Sequence, residues 1–171
     1  LFDSHCHIQF YQYDTDREEL VNACTQAGVG GLCVGCDLES NKKAVVFADK
    51  QSNFWSSIGV HPTEWNAVFP REEFEQLLQT SQKIVAVGET GLDYYRISDQ
   101  LASLPVGQSI HNQEELKENQ IKLFKDHIQF AKEKNLPLII HCRDAHEDMQ
   151  QILEQEKKGS DPFFERSGVL H

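Results

Sequence analysis

The chain has 171 residues, with 16 Lys or Arg against 27 Asp or Glu, which gives a formal net charge of −11. Thirty-nine per cent of the residues are hydrophobic, so the chain can build the core of one globular domain. The acidic balance argues against a broad basic surface that binds nucleic acid, although bound metal can supply positive charge within a site. No apolar run approaches the roughly 20 residues that span a bilayer, so we expect no membrane partner.

Apolar runs alternate with amphipathic stretches along the chain. We predict strands at residues 2–8, 31–35, 54–60, 84–88, 136–141 and 168–171. The first predicted helix follows residues 15–18, which have the form of a capping box, and Gly28 ends it. Further helices are predicted at residues 39–50, 71–80, 112–135 and 145–157. Residues 96–111 are predicted to form a long loop, and loops of that length usually have a function or move.

The strand–helix alternation predicts an α/β protein with a parallel sheet. Residues 84–87 and 136–140 are apolar nearly throughout, as expected for strands that are covered on both faces. The pattern alone leaves two architectures open, a doubly wound sheet and a (β/α)8 TIM barrel.

The five cysteines include one pair, Cys33 and Cys36, with the spacing of a redox or zinc site. The sequence has no second such pair, and residues 31–36 resemble a buried strand that runs into a loop. We therefore predict buried, reduced thiols that pack as small hydrophobic side chains. Reduced cysteines are typical of a reducing compartment, which predicts a cytoplasmic protein.

Metal-ligating residue types cluster at the carboxyl ends of the predicted strands. His5 and His7 lie two apart on the first strand, so their side chains point the same way and form a ready pair of ligands. Two histidines satisfied by ordinary hydrogen bonds are the alternative. Other strand ends carry His61, Glu89, His141 and His171. Barrels and doubly wound sheets both bind ligands at these ends, and imidazole with carboxylate suits Zn, Mn, Fe or Mg.

This set of residues favours metal-dependent hydrolysis. A carboxylate can bridge two metals, and a metal pair activates water and holds both oxygens of a displacement at a phosphate or carbonyl-type centre. The sequence lacks a Gly-rich phosphate loop and a GxSxG nucleophile elbow, which argues against nucleotide-cofactor and serine-hydrolase mechanisms. His127 lies on the apolar stripe of the helix at residues 112–135, and we predict a packed core histidine there.

Five motifs in chain order resemble those of the TatD-like metal-dependent deoxyribonucleases. They are Asp3-Ser4-His5-Cys6-His7, Gly59-Val60-His61-Pro62, Gly88-Glu89-Thr90-Gly91-Leu92-Asp93, His141-Cys142-Arg143-Asp144-Ala145 and Gly168-Val169-Leu170-His171. The resemblance implies a TIM barrel that binds two or three divalent metals, and we expect two (Mg, Mn or Zn). It implies hydrolysis of DNA by metal-activated water, often as a 3′→5′ exonuclease. The sequence shows no basic-aromatic channel that would bind long strands, so we expect weak binding to single strands or DNA ends.

The resemblance also implies a role for each matched residue. The matched metal ligands are His5, His7, Glu89, His141 and His171, with Glu89 as the bridging carboxylate. His61 matches a site histidine that contacts phosphate or water, and Arg143 matches an arginine suited to a substrate phosphate. We therefore expect Glu89, His61 and Arg143 to be the catalytic residues. For Asp93, a site role and a structural role both stay open.

The family pattern continues past the sixth strand to an eighth-strand Asp that is a metal ligand and general base. A complete barrel typically needs about 250 residues, so we expect residues 1–171 to form one domain, an incomplete TIM barrel truncated after the sixth strand. If the chain ends at His171, hydrolysis should be severely weakened. Independently of this, we expect the protein to be a monomer. Two alternatives stay open: an amidohydrolase-type enzyme acting on another ester or amide bond, including D-aminoacyl-tRNA deacylation, and a non-catalytic metal-binding remnant.

Overall fold

The computed structural model describes residues 1–64, 67–102, 112–157, 163 and 168–170. The strands are β1 (Phe2–Cys6), β2 (Gly30–Val34), β3 (Phe54–Ile58), β4 (Ile84–Asp93), β5 (Leu138–Arg143) and β6 (Val169–Leu170). The α-helices are α1 (Arg17–Gln26), α2 (Leu38–Asp49), α3 (Arg71–Thr80), α4 (Ile97–Ala102), α5 (Gln113–Lys134) and α6 (His146–Glu156). Within these described ranges, none of the helices combines the length and apolar character needed to cross a bilayer.

The six strands are hydrogen-bonded in chain order, and every neighbouring pair is parallel. A doubly wound sheet reverses its strand order at a switch point, whereas a (β/α) barrel adds each strand beside the previous one. The observed order therefore decides between the two architectures that the sequence pattern left open. The sheet curves into a nearly closed barrel, which confirms the predicted TIM-barrel class.

The apolar core lies between the strands and the helices that cover them. β2 is buried at every position and β4 at every position but one, as parallel strands covered on both faces should be. The largest fully buried side chains include Ile58, Leu92, Phe74, Leu116, Phe124, Ile128 and Phe130. Each such side chain stabilises the fold by about 1.5–3 kcal/mol, which holds the strand ends in a fixed arrangement.

The first helix begins differently from the sequence prediction. α1 starts at Arg17, and its N-cap residue, Asp16, makes no capping hydrogen bond with its side chain, so the predicted capping box at residues 15–18 is wrong. The Arg17 side chain organises this segment instead, because its guanidinium donates to the carbonyl oxygens of Ile8 and Phe10, each at 2.7 Å. The side chain thus ties the start of α1 to the segment that follows β1. Gly28, with φ of +65°, follows the end of α1 as predicted.

A capping box does form, at the start of α2. The Asp37 carboxylate accepts from the Ser40 backbone N–H at 2.7 Å, and the Ser40 hydroxyl accepts from the Asp37 N–H at 2.9 Å. The next residue, Asn41, is fully buried and joins α2 to the end of β3. Its side-chain amide donates to the Gly59 carbonyl and accepts from the Gly59 N–H. These contacts fix the chain just before His61.

Two further boundaries change the predicted loops. β4 continues to Asp93, so the Gly88–Asp93 motif lies within a strand and not after one. The predicted loop at residues 96–111 contains α4, so that prediction is wrong for residues 97–102, and residues 103–111 lie outside the described part of the chain. The extension of β4 matters for the site, because it carries Glu89 and Asp93 on one continuous strand.

The cysteines carry free thiols. Cys33 has no exposed surface and packs in an apolar cluster with Ile8, Val21 and Phe54, which confirms its predicted role as a small hydrophobic residue. Cys36 is half-buried and lies just beyond β2, at the end of the barrel where the predicted site residues gather.

Candidate metal centre

Glu89 is the centre of the candidate site. Its side chain, on β4, is only 3% exposed. Its Oε2 atom lies 3.3 Å from Nε2 of His5, and its Oε1 atom lies 2.9 Å from Nδ1 of His141. Nε2 of His61 lies 3.8 Å from the same Oε1 atom. The structure therefore brings predicted residues from β1, β4, β5 and the end of β3 to one buried carboxylate.

Two groups of donor atoms share this carboxylate. One consists of His5, His7 and Glu89, and the other of His61, Glu89 and His141. In each group the nitrogen and oxygen atoms all lie within 4.8 Å of one another. Imidazole nitrogen and carboxylate oxygen together fit a divalent cation of intermediate hardness, such as Zn, Mn or Fe. A carboxylate common to both groups fits the bridging role that the family resemblance implies.

The ring of His7 is oriented for ligation. Its Nδ1 atom lies 2.9 Å from the carbonyl oxygen of Val34, on the neighbouring strand. A carbonyl oxygen only accepts, so Nδ1 carries the proton and Nε2 presents its lone pair. That Nε2 atom lies 3.2 Å from Nε2 of His5, and the ring stacks on Phe10 with 4.7 Å between ring centroids. His5 on β1 and His7 directly after it thus form the expected pair of histidines on one side.

Two glycines allow Glu89 to approach β5. Gly88 has a φ of +139° and Gly91 a φ of +146°, conformations that residues with a side chain rarely adopt. A Cβ atom at Gly88 would collide with the carbonyl oxygen of Ile139, and one at Gly91 with that of His141. The two glycines of the third motif therefore let β4 lie close against β5, and this contact places Glu89 beside His141.

His141 lies between two carboxylates. While Nδ1 faces Glu89, Nε2 lies 3.2 Å from Oδ2 of Asp93, which is 1% exposed. The Asp93 backbone is itself fixed, because its N–H donates to the Gln120 side chain at 2.9 Å and its carbonyl accepts from the same side chain at 3.1 Å. The Asp93 N–H and carbonyl thus join β4 to α5. Asp93, whose role the sequence left open, contacts the ring of a candidate ligand.

His61 is held by its own loop. The Thr63 backbone N–H donates to Nδ1 of His61 at 3.2 Å. A backbone N–H only donates, so in the neutral ring Nδ1 is the acceptor and Nε2 carries the proton. The Nε2–H group faces Glu89. As arranged here, His61 offers a hydrogen-bond donor rather than a lone pair, which suits contact with a phosphate or water better than direct ligation.

A buried histidine, His127, contacts the segment that carries His61. His127, on α5, is completely buried, and its Nδ1–H donates to the Leu123 carbonyl at 2.8 Å. Its Nε2 atom accepts from the backbone N–H of Val60 at 3.0 Å, next to His61. This confirms the predicted core histidine. The ring also has a second role, because its hydrogen bond to Val60 holds the segment after β3 in place.

Burial and the shared carboxylate set the pKa values of the site. Burial would raise the pKa of the Glu89 carboxyl, but hydrogen bonds from His141 and His5 hold this pKa below its usual range. Burial lowers the pKa of His61 to about 4. For His141, burial is outweighed by Glu89 and Asp93, so its pKa is raised. At neutral pH Glu89 is therefore ionised and His61 neutral.

A thiol that the sequence prediction left in the core also reaches the site. Sγ of Cys36 lies 4.0 Å from Oε2 of Glu89. Burial and the negative charge of Glu89 raise the pKa of Cys36 to about 12, so it stays a protonated thiol. Its position could have been found from the motif order, because Cys36 follows the second strand just as His61 follows the third.

The remaining predicted residues lie at the rim or beyond the described residues. Arg143, the last residue of β5, is exposed, and its guanidinium lies over the ring of Tyr95. His171 lies outside the described part of the chain. The sequence prediction also missed Arg96, whose positive charge contributes to the lowered pKa of His61. The sequence could have pointed to Arg96, because it lies three residues after the third motif, which ends at Asp93.

The chain is a (β/α) barrel with a His/Glu cluster at the carboxyl ends of its strands, an architecture typical of metal-dependent hydrolases. The chain belongs to the TatD related DNase family, whose sequence model matches residues 2–171. The resemblance inferred from the five motifs is thereby confirmed.

Relatives with curated sequences include two bacterial proteins. The chain is 35% identical over 175 residues to the "uncharacterized metal-dependent hydrolase YabD" of Bacillus subtilis, covering 100% of this chain and 60% of that protein. It is 32% identical over 158 residues to the "3'-5' ssDNA/RNA exonuclease TatD" of Escherichia coli, covering 90% of this chain and 54% of that protein. The chain thus spans a little over half the length of these relatives.

Solved structures show the same fold. A TatD homologue from Escherichia coli, YjjV, matches with a TM-score of 0.72 and 26% identity, over 91% of this chain and 56% of that one. An uncharacterized amidohydrolase from Saccharomyces cerevisiae matches with a TM-score of 0.70 and 18% identity, over 95% of this chain and 54% of that one. At 18% identity the second likeness concerns the fold alone.

Proposed function

We propose that the protein hydrolyses phosphodiester bonds of single-stranded nucleic acid, DNA above all, from an end of the strand and with two divalent metals. The observation that carries the proposal is the position of Glu89, a buried carboxylate common to two histidine-containing donor groups. The name of the Escherichia coli relative, a 3'-5' ssDNA/RNA exonuclease, supports the choice of substrate. A cytoplasmic location and a monomeric state stay predictions.

The described residues divide into ligands and supporting groups. His5, His7 and Glu89 would hold one metal, and Glu89 with His141 would hold the other, with His171 as the further ligand that the family resemblance implies. Metals bound there would lower the pKa of water and polarise a phosphoryl oxygen. Mg, Mn and Zn are all compatible with this donor set, since geometry and availability decide between such ions.

The chain's other groups would bind and orient the substrate. The Nε2–H group of His61 would donate to a phosphate oxygen, and its low pKa keeps the ring neutral while it does so. Asp93 would hold the ring of His141 in one orientation. Arg96 and Arg143 would supply positive charge at the rim, which compensates locally for an acidic protein.

The amidohydrolase alternative has no support in the described residues. Many such enzymes bridge their metals with a carbamylated lysine at the end of the fourth strand, where this chain has Glu89. The nearest lysine in sequence, Lys83, precedes β4. Its ammonium group donates to the carbonyl oxygens of Gln51, Ser52 and Phe54 at the opposite end of the barrel. We therefore propose the nuclease function alone.

The decisive experiment compares cleavage of a 5′-labelled single strand by the wild type and by Glu89→Gln, with Mg²⁺ or Mn²⁺ and with EDTA. We expect EDTA to abolish cleavage. Glu89→Gln should reduce the rate by at least about 100-fold, because even groups outside the ligand sphere contribute 10–100-fold. Glu118→Gln, which alters an exposed carboxylate on α5, is the matched control and should cleave normally. Undiminished cleavage by Glu89→Gln would show that the proposed mechanism is wrong.

A further inference from the structure

An exposed aromatic ring lies at the rim of the site, just beyond the end of β4. Tyr95 is 56% exposed, and the guanidinium of Arg143 lies over its ring with Cζ 3.8 Å from the ring centroid. Arg143, at the end of β5, is paired in register with Asp93, at the end of β4. These two strands also carry Glu89 and His141, so Arg143 ends one strand of the metal centre and Tyr95 follows the other by two residues.

The chain on both sides of Tyr95 is fixed by hydrogen bonds. Before it, the Tyr94 N–H donates to the carbonyl oxygen of Arg143 at 2.9 Å. After it, the Arg96 N–H donates to the carboxylate of Asp93 at 3.2 Å. These bonds hold the backbone on both sides of Tyr95, and the contact with Arg143 holds the exposed ring itself. A ring that is already in place loses little conformational entropy when a ligand stacks on it.

Two arginines lie next to this ring, although the net charge of the chain is −11. Arg143 contacts the ring itself, and the charge of Arg96 reaches as far as His61. An exposed aromatic ring beside guanidinium groups is the combination by which proteins bind single strands, with bases stacked on the ring and phosphates held by the cations.

We propose that Tyr95 and Arg143 form a base-binding platform for the nucleotide next to the scissile phosphate. The base stacks on the face of the tyrosine ring opposite Arg143, and the guanidinium contacts a neighbouring phosphate. The platform rests on the proposed function, because it names the substrate contacts of that same site. It also accounts for a preference for single strands, since a base within a duplex is already stacked and must be pulled out to reach the ring.

The test uses a single-stranded DNA hexamer with phosphorothioate linkages that resist cleavage and with 2-aminopurine as a fluorescent base. In Mg²⁺, stacking on the wild-type protein should quench the fluorescence. Tyr95→Phe keeps the ring and should preserve both quenching and affinity. Tyr95→Leu keeps an apolar side chain without the ring, and we expect about tenfold weaker binding and loss of quenching.

An abasic hexamer separates stacking from a merely structural role of Tyr95. The wild type and Tyr95→Leu should bind this strand equally, because it has no base to stack. A similar pair at the other end of the barrel, Trp55 with Nζ of Lys83 at 4.8 Å from its ring, provides the control variant Trp55→Leu. Once its folding is verified by thermal denaturation, this control should bind both strands like the wild type.

Any of three results would contradict the proposed base-binding platform. The first is that the wild type does not quench the fluorescence, and the second is that the wild type and Tyr95→Leu bind the base-containing strand equally. The third is that Tyr95→Leu loses as much affinity for the abasic strand as for the base-containing strand. Failure of the hydrolytic function gives a different pattern. In that case the wild type would leave an unmodified strand intact while still quenching the fluorescence of the modified one.

Discussion

The carboxylate of Asp93 lies 3.2 Å from Nε2 of His141, whose other ring nitrogen faces Glu89. A histidine that ligates a metal through one nitrogen usually donates from the other to a carboxylate, which fixes its tautomer and its orientation. Asp93 stands in that relation to His141. The nitrogen that faces Glu89 is then the one available to a metal.

Replacement of Asp93 by Asn should therefore weaken metal binding while leaving the ligands in place. The amide keeps the size of the side chain but removes the charge that favours the Nε2–H tautomer. We expect the affinity for Mn²⁺, measured by isothermal titration calorimetry, to fall by about 10–100-fold. Asp126→Asn, at a carboxylate that pairs with Lys122 on the surface of α5, is the control and should bind Mn²⁺ normally. Equal affinities of the wild type and Asp93→Asn would assign Asp93 a purely structural role.

Metal binding should release protons, because the pKa of His141 is raised in the metal-free protein. Burial alone would lower this pKa, but Glu89 and Asp93 outweigh burial, so the ring stays protonated to higher pH than an ordinary histidine. A metal must displace the proton on Nδ1, and affinity should fall as the pH falls below the raised pKa. Calorimetry in buffers of different ionisation enthalpy measures the released protons. An apparent enthalpy that is the same in every buffer would contradict this expectation.

The buried imidazole of His127 should make the fold sensitive to mild acid. Burial lowers its pKa to about 4, whereas the unfolded chain has the ordinary value near 6.5. Between these two values the unfolded state binds one more proton, so the free energy of unfolding falls as the pH falls. The loss approaches about 3 kcal/mol at pH 4 and stops growing below that. Urea denaturation between pH 7 and pH 4 measures it.

The comparison for this prediction is His127→Gln. Glutamine can still accept from the Val60 N–H but does not titrate. The part of the pH dependence of the free energy of unfolding that His127 causes should therefore be absent in this variant. His127→Leu leaves that N–H without its partner and should cost about 1–3 kcal/mol at pH 7. Identical pH slopes for the wild type and His127→Gln would show that another group causes the acid sensitivity.

The approach of β4 to β5 can be tested at Gly91. Gly91→Ala introduces a Cβ that collides with the carbonyl oxygen of His141, in addition to an unfavourable φ of +146°. We expect a loss of stability of about 1–3 kcal/mol from backbone strain, together with weaker Mn²⁺ binding as the two strands move apart. Gly28→Ala is the matched control, because φ is +65° there but no atom lies within 4 Å of the new Cβ. Gly28→Ala should destabilise the fold and leave the Mn²⁺ affinity unchanged. If Gly91→Ala, Gly28→Ala and the wild type all bind Mn²⁺ with similar affinity, the close approach of β4 to β5 does not position the metal ligands.

The sequence pattern was sufficient to predict those structural features that depend on a regular spacing of residues. The spacing of two residues predicts that His5 and His7 lie on one side, and the strand–helix repeat predicts a parallel sheet. The choice of a barrel needed the strand order, which the pattern left open and the family motifs implied. Glu89 could be placed at the site because it lies at the carboxyl end of the predicted fourth strand and matches a family motif.

Contacts between elements distant in the chain were beyond the sequence. The pairing of Asp93 with His141 depends on the register of β4 with β5, which no local pattern specifies. The capping box at Asp37 and Ser40 was missed because serine occupies the place where glutamate or glutamine is usual. Cys36 was assigned to the core by its apolar neighbours, although it lies within reach of Glu89.

Because two donor groups share the carboxylate of Glu89, the stability of the fold should depend on the metal concentration. Its partners come from strands far apart in the chain, so an unfolded molecule holds no comparable set of ligands. A metal that binds only the folded state stabilises it by about 2.7 kcal/mol at one hundred times its dissociation constant. The increase in melting temperature on addition of Mn²⁺ therefore measures whether the ligands bind metal in the folded protein. It can also be measured in variants that are catalytically inactive.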